Sequence, residues 1–265
     1  MPKKRIKALI LTAVLFFDAL CCRADSGKLV CGAYIAGTGV DIAQYEEICG
    51  VKNSIYLIGV KKDYPKSRVM ECYARGKIPM LLINRSMPLS RLPALADAAG
   101  EYGMPIYICI GGELRFYRYC AEIFRARCPC AVLVQPVMLS QPAYEFAGTD
   151  LADILAVTAT FNDANRDPAA LYHIIEQADI PVMINLAVCR YDENGHRYTT
   201  LDAIKTLNYV YAAKNDLGTR LFGINYINTA KDGRRYDIAC DSKVRTVYGG
   251  LVCKWADPSY GLENR

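Results

Sequence analysis

The chain has 265 residues, 52% of them hydrophobic and 22% charged, with a formal net charge of +5. Residues 1–24 hold five basic side chains (Lys3, Lys4, Arg5, Lys7, Arg23) and one acid (Asp18), so +4 of the +5 falls there and about +1 on the rest. No basic field remains for nucleic acid and no long basic helix for a membrane surface, so neither partner is expected.

From the N-terminus, residues 1–24 read as an export signal: a basic start, the apolar stretch Ala8–Leu20, and small residues at Cys22 and Ala24 that suit cleavage before Asp25. The stretch is short of the roughly 20 residues a spanning helix needs. Retention as an N-terminal anchor is the alternative, while Ala19-Leu20 is a poor context for lipid attachment at Cys21. Secretion or association with the cell envelope is therefore expected.

Eight short apolar runs follow in residues 25–265: Leu29–Ile35, Ser54–Val60, Ile78–Ile83, Pro105–Ile110, Ala131–Val137, Asp153–Thr158, Pro181–Ala187 and Leu221–Ile227. Runs rich in Val, Ile and Leu without clean polar alternation suit parallel strands buried on both faces. Helical segments separate them. Asp41 caps a helix with Ile42, Tyr45 and Cys49 on one face and Gly50 at its end. Leu92, Leu95 and Ala99 precede the fourth run, with Pro93 in a first turn, and Leu171, Ile174 and Ile175 precede the seventh. Thr199 and Asp202 open a longer helix striped by Leu201, Ile204, Leu207, Val210 and Tyr211, closed by Gly218. Strand and helix alternating eight times predict a single α/β domain, a (β/α)8 TIM barrel. An open doubly wound sheet would use fewer strands and usually a Gly-rich first turn, and no phosphate-binding glycine motif follows any run.

Ten cysteines follow residue 24, but zinc-ligand spacings are missing, and no metal or cofactor is expected. Cys31, Cys109 and Cys189 fall in or beside strands, where a thiol packs as a small apolar group. Cys128 and Cys130 flank Pro129, too close for an ordinary structural bridge. Most thiols are expected to be free, with one or two bridges possible.

Barrel enzymes carry their chemistry at the C-terminal ends of the strands. There the fourth run continues as Gly111-Gly112-Glu113-Leu114-Arg115-Phe116-Tyr117. A rim carboxylate beside aromatic rings can act as general acid on a glycosidic oxygen, although a loop glutamate in solvent fits the same residues. The segment order resembles glycoside hydrolase family 26, the β-mannanase-like barrels, over most of residues 29–253. In that family the fourth strand ends in a motif of the form HEMNG, whose Glu is the acid/base. The resemblance places Glu113 on that acid/base, with Gly112 for the His and Arg115 for the Asn. Three further stretches resemble family segments: Gly76–Ser86 (GKIPMLLINRS), Tyr144–Asn162 (YEFAGTDLADILAVTATFN) and Phe222–Ser242 (FGINYINTAKDGRRYDIACDS). The family's nucleophilic Glu ends the seventh strand, where this chain has Leu186 or, one residue earlier, Asn185. Neither forms a glycosyl ester, and a retaining mechanism needs two carboxyls about 5–5.5 Å apart.

Asp192 and Glu193 follow the seventh run but read first as a turn with Asn194-Gly195, and Asp237 lies in the last long loop. Asp150 and Asp153 flank the start of the sixth strand, on the opposite rim. An inverting pair about 6.5–9.5 Å apart, Glu113 with one of the farther acids, stays open. Strand ends supply candidate substrate-binding groups: Tyr34, Asn84, Arg85, Arg115, Tyr117, Phe161, Asn162, Tyr226 and Asn228. Rings stack on sugar faces, and Asn and Arg offer fixed donors. Arg85 and Arg115 together suggest a positive floor suited to an acidic polysaccharide. Three functions follow: an exported glycoside-hydrolase-like barrel that binds an envelope or extracellular polysaccharide with hydrolysis lost, an active glycosidase using Glu113 with a relocated carboxylate, and a non-catalytic protein-interaction scaffold.

Overall fold

The computed structural model describes residues 28–35, 40–139, 151–160, 168–188, 199–228, 238, 241–257 and 259–262. Eight parallel strands close in sequence order into a barrel: β1 (Val30–Tyr34), β2 (Ile55–Gly59), β3 (Ile78–Ile83), β4 (Ile106–Ile110), β5 (Ala131–Met138), β6 (Ile154–Thr160), β7 (Val182–Ala187) and β8 (Leu221–Ile227). The described helices are α1 (Ile42–Cys49), α2 (Lys66–Ala74), α3 (Leu92–Gly100), α4 (Leu114–Arg127), α5 (Pro168–Gln177), α6 (Thr200–Leu217) and α7 (Ser242–Trp255). The sequence-based expectation of a single (β/α)8 barrel holds.

Period-two alternation sorts each strand into two sets. Val30, Ile55, Leu57, Ile78, Met80, Tyr107, Cys109, Val132, Val134, Ile154, Ala156, Met183 and Phe222 form one cluster in the lumen. Their neighbours turn outward: Ile106, Ile108 and Leu133 pack with residues of α3 and α4, and Leu155, Ile184, Leu186 and Tyr226 with residues of α5, α6 and α7. Both faces of the sheet are apolar, so the runs show no polar alternation.

The predicted caps form. Asp41 accepts from the Gln44 N–H and Gln44 returns the bond, while Thr199 and Asp202 make the same reciprocal pair on α6. Gly50 closes α1 at φ 65°, in the left-handed region. One part of the α6 stripe fails: Leu201 is 58% exposed, and the buried face runs through Ala203, Leu207, Val210, Tyr211 and Leu217 instead. Leu201 lies on the side of α6 opposite Ala203, Leu207 and Val210, which face its neighbours.

The chain after α7 crosses the N-terminal mouth of the barrel. Ala256 pairs with Leu29, Leu262 N donates to Gly76 O at 2.9 Å, and Tyr260 enters the lumen cluster. There its ring meets Phe222 edge-on at 5.6 Å and its hydroxyl pairs with that of Tyr107. This tail therefore stoppers the mouth opposite the predicted chemistry. Truncating Tyr260 to Ala is expected to cost about 3 kcal/mol, and Tyr260→Phe about 1 kcal/mol. Urea midpoints at unchanged slope check this, and equal midpoints for the two variants would mean that the tail is not seated.

Candidate functional site

The C-terminal mouth begins with a turn that only glycine permits. Strand β4 is prolonged by Gly111, whose N–H donates to Ile83 O at 2.7 Å. Gly112 then takes φ 145°, and a Cβ there would lie 3.0 Å from the Phe116 ring and 3.1 Å from Arg85 Cγ. A histidine, as in the family motif, would strain the backbone and displace Arg85. Glu113 follows in extended conformation as the N-cap residue of α4, but its carboxylate does not cap the helix. It accepts from Arg85 Nη2 at 2.7 Å, both side chains being more than half exposed.

Arg85 is delivered by the turn after β3. Asn84 Oδ1 accepts from Ser86 N at 2.9 Å and from Ser86 Oγ at 2.6 Å, an Asx turn with Arg85 at its tip. Asn84 thus spends its side-chain acceptor on the turn. The Arg85–Glu113 pair also cancels the charge on which a preference for acidic polysaccharide rested. Arg115 lies exposed in the first turn of α4, with no ion pair among the described residues.

Tyr34 ends β1 half-buried against the lumen cluster, with its hydroxyl 3.5 Å from where a Cβ on Gly59 would be. The bare Gly59 at the end of β2 leaves that space to the phenol. Three other candidate binders are buried. Tyr117 is buried on the inner face of α4, in the cluster between helices and sheet, where burial pushes its phenol up. Tyr226 is buried outside the sheet, its ring centroid 5.3 Å from that of Tyr248. Asn228 is buried as a loop tie: its Oδ1 accepts from Ile238 N at 2.8 Å and its N–H donates to Tyr34 O at 2.9 Å. Helix phase on α4 and strand parity on β8 turn the two tyrosines away from the rim, whereas Asn228, beyond the end of β8, is held by the loop. Phe161 and Asn162 lie outside the described residues, as do Asp150, Asp192, Glu193 and Asp237.

At the seventh strand, parity decides between the two candidate positions. Leu186 is fully buried among outward-facing residues, so its side chain never meets the lumen. Asn185 faces inward. It registers with Thr158 on β6 and with Asn225 on β8, which registers in turn with Gly32 on β1. Asn225 Nδ2 donates to Asn185 Oδ1 at 2.9 Å, and both side chains are buried. Asn225 Oδ1 occupies the space beside Gly32, where an added Cβ would come within 2.1 Å of it; among the described residues this oxygen has no partner. An amide pair thus bridges β7 and β8 on the lumen side, at one of the two positions the resemblance offers for the nucleophile. Asn225 was not among the residues expected from the sequence, although a polar residue inside LFGINYI, in strand phase with Gly223 and Ile227, was the available signal.

Other described carboxylates on this side are committed elsewhere. Asp41, Asp202 and Asp241 accept from backbone N–H groups at the starts of α1, α6 and α7, and Asp63 lies 3.9 Å from Arg91. Asp153 is at the opposite rim, accepting from Leu133 N at 2.7 Å and pairing with Arg125. Among the described residues, no acidic group joins Glu113 in the mouth. Cys109 lines the lumen, but burial pushes its thiol up to about 12, which disqualifies it as a nucleophile. No cluster of metal-ligating side chains exists among the described residues. A cleft of about 800 Å³ opens on the opposite face, near Lys28, Glu46, Lys77 and Asp257, far from these groups.

No protein-family model matches the sequence, and no curated protein matches it. Among solved structures, the chain is similar to GH26A from a Muricauda species, with TM-score 0.55 and 12% identity over 89% of this chain and 92% of that one. It is also similar to tryptophan synthase from M. tuberculosis, with TM-score 0.54 and 14% identity over 91% and 98%. These likenesses support a TIM-barrel fold. At such identity they define the fold alone, which hosts both proteins and does not choose between their chemistries.

The Gly32–Asn225 fit is open to test. Gly32→Ala is expected to cost about 2 kcal/mol by overpacking, and about 1 kcal/mol less in an Asn225→Ala background. Chemical denaturation of the four proteins checks the cycle; strictly additive costs would place the Asn225 amide elsewhere.

Proposed function

We propose that the chain is an exported glycoside-hydrolase-like barrel that binds an envelope or extracellular polysaccharide at its C-terminal mouth and does not hydrolyse it. The observation that supports this most is Asn185, a neutral amide held by Asn225 at the only lumen-facing alternative for a nucleophile on the seventh strand. Glycosidic cleavage by retention needs a nucleophile and an acid; by inversion it needs a base and an acid. Glu113 has no second carboxylate beside it among the described residues, and its own carboxylate is bound to Arg85.

The mouth still offers what a sugar needs. Tyr34 presents a partly exposed ring, Asn185 and Thr158 line the lumen below it, and Arg85, Glu113 and Arg115 stand at the edge. A ring face with convergent amide, hydroxyl and charged groups is how pyranoses and their hydroxyls are held. With Arg85 neutralised by Glu113, a neutral or weakly charged polysaccharide suits this edge better than a strongly acidic one.

A panel of soluble polysaccharides, read for binding by affinity electrophoresis and for turnover by released reducing ends, separates the readings. Retardation without turnover is expected. Tyr34→Ala should weaken binding about five- to tenfold, whereas Glu113→Gln, which removes an exposed ion pair, should change it by about fivefold at most. Turnover abolished by Glu113→Gln would replace this reading with an active glycosidase drawing its second carboxylate from elsewhere. Silence in both assays would leave the barrel as a scaffold for protein contacts.

A further inference from the structure

The opposite face of the barrel carries a second chemically distinctive group of residues. The loop joining α4 to β5 is Cys128-Pro129-Cys130, and its two sulfurs lie 3.7 Å apart. This geometry is fixed from several sides. Cys128 N donates to Phe124 O at 2.8 Å, ending α4, and Ala131 N donates to Cys128 O at 3.0 Å, closing a tight turn over the proline. Gly100 at the end of α3 packs against the same turn, leaving a Cβ there only 3.1 Å from Arg127 O and 3.4 Å from Cys128 Cα. Cys128 is buried, while Cys130 is partly exposed. One thiol is therefore accessible and its neighbour waits behind it within contact distance.

We propose that Cys128 and Cys130 form a reversible dithiol–disulfide couple that exchanges with small disulfides from solution, with Cys130 attacking and Cys128 resolving. The contact between the two sulfurs holds the Cys130 thiol below the usual range, while that contact and burial push Cys128 up. That polarity agrees with the exposure: the accessible sulfur is the better nucleophile.

The exchange balances in two steps. The Cys130 thiolate attacks one sulfur of an external disulfide such as oxidised glutathione; a Cys130–S bond forms, the external S–S bond breaks, and one glutathione thiolate leaves. Cys128 then loses its proton to solvent and attacks Cys130 Sγ. The mixed disulfide breaks, the Cys128–Cys130 bond forms, and the second glutathione leaves as a thiolate that takes up a proton. The protein loses two electrons and two protons, and the external disulfide gains them. A ring closed across one proline cannot relax to ordinary disulfide geometry, so the product is readily reduced again and the couple cycles rather than locking the fold.

Among the described residues, the other accessible thiol supplies an internal control. Cys253 is exposed, with its sulfur 3.8 Å from Gly50 O and no second thiol in contact among the described residues. Trypsin separates the two: the 128–166 peptide contains Cys128 and Cys130 as its only cysteines, and the 246–254 peptide contains Cys253 alone.

The reduced full chain is incubated with oxidised glutathione, quenched in acid with an alkylating agent and mapped by mass. The 128–166 peptide is expected to become about 2 Da lighter than the unalkylated reduced peptide, and to regain its mass on adding reduced glutathione. The 246–254 peptide should carry only a glutathione adduct. Cys128→Ala should trap the adduct on Cys130, and Cys130→Ser should slow modification of this peptide at least about tenfold. Circular dichroism confirms that both variants fold, and Pro129→Ala supplies a third protein with both thiols intact. Two alkylated thiols in 128–166 when Cys253 is already modified would overturn the proposal. So would an adduct trapped on Cys128, or a disulfide that reduced glutathione leaves untouched.

Discussion

A closed parallel sheet has no free face. Each strand residue points into the lumen or out to the helices, and residues adjacent in sequence point opposite ways. On β7 and β8 this parity governs every functional assignment. Leu186 and Tyr226 are outward and unavailable to a ligand, while Asn185 and Asn225, one residue before each, meet in the lumen. A shift of one position in an alignment therefore exchanges a core leucine for a lumen amide. Sequence likeness cannot resolve that shift; the pairing register does.

The same closure sets the demands on small residues. The lumen holds Tyr107, Phe222 and Tyr260 at one end, so space has to be found elsewhere around the ring. Gly223 provides some: a Cβ would fall 2.5 Å from Val30 O, and the register between β7 and β8 shifts beside it. Gly32 provides the rest, admitting the Asn225 amide into an otherwise apolar interior. A buried amide with one unpaired oxygen costs on the order of 1–3 kcal/mol. The hydrogen bond from Asn225 to Asn185 offsets part of that cost, and it ties β7 to β8 through side chains as well as backbone.

The architecture was legible in the sequence because parallel strands buried on both sides are continuous apolar runs, and because Asp41 with Gln44 and Thr199 with Asp202 mark helix starts by chemistry. The order of the eight runs gave the topology. Side-chain direction was less legible. Tyr117, Tyr226 and Asn228 are polar or aromatic residues near strand ends, which invites a binding role, but helix phase and strand parity bury the two tyrosines and a loop hydrogen bond buries Asn228. Leu201 erred the other way: it reads as part of the α6 stripe, yet it lies opposite the face that buries Ala203, Leu207 and Val210. The Glu113 turn was legible as a place but not as a contact, since its partner Arg85 comes from 28 residues earlier in the chain.

What the seventh strand presents to the lumen bears directly on chemistry. A carboxylate at position 185 would accept the Asn225 N–H as readily as the amide oxygen does, so the hydrogen bond by itself does not select against an acid. Burial does. An ionised group among Met183, Ile227 and Asn225, with no described cation in hydrogen-bond contact with Asn185, would bear a desolvation cost that a single amide donor does not offset. An amide keeps the directional bond and carries no charge. Arg85 acts on Glu113 in the complementary way, holding the carboxylate found at the mouth among the described residues in an exposed ion pair. Among the described residues, the two arrangements thus place a neutral amide pair in the lumen and an ion pair at its edge.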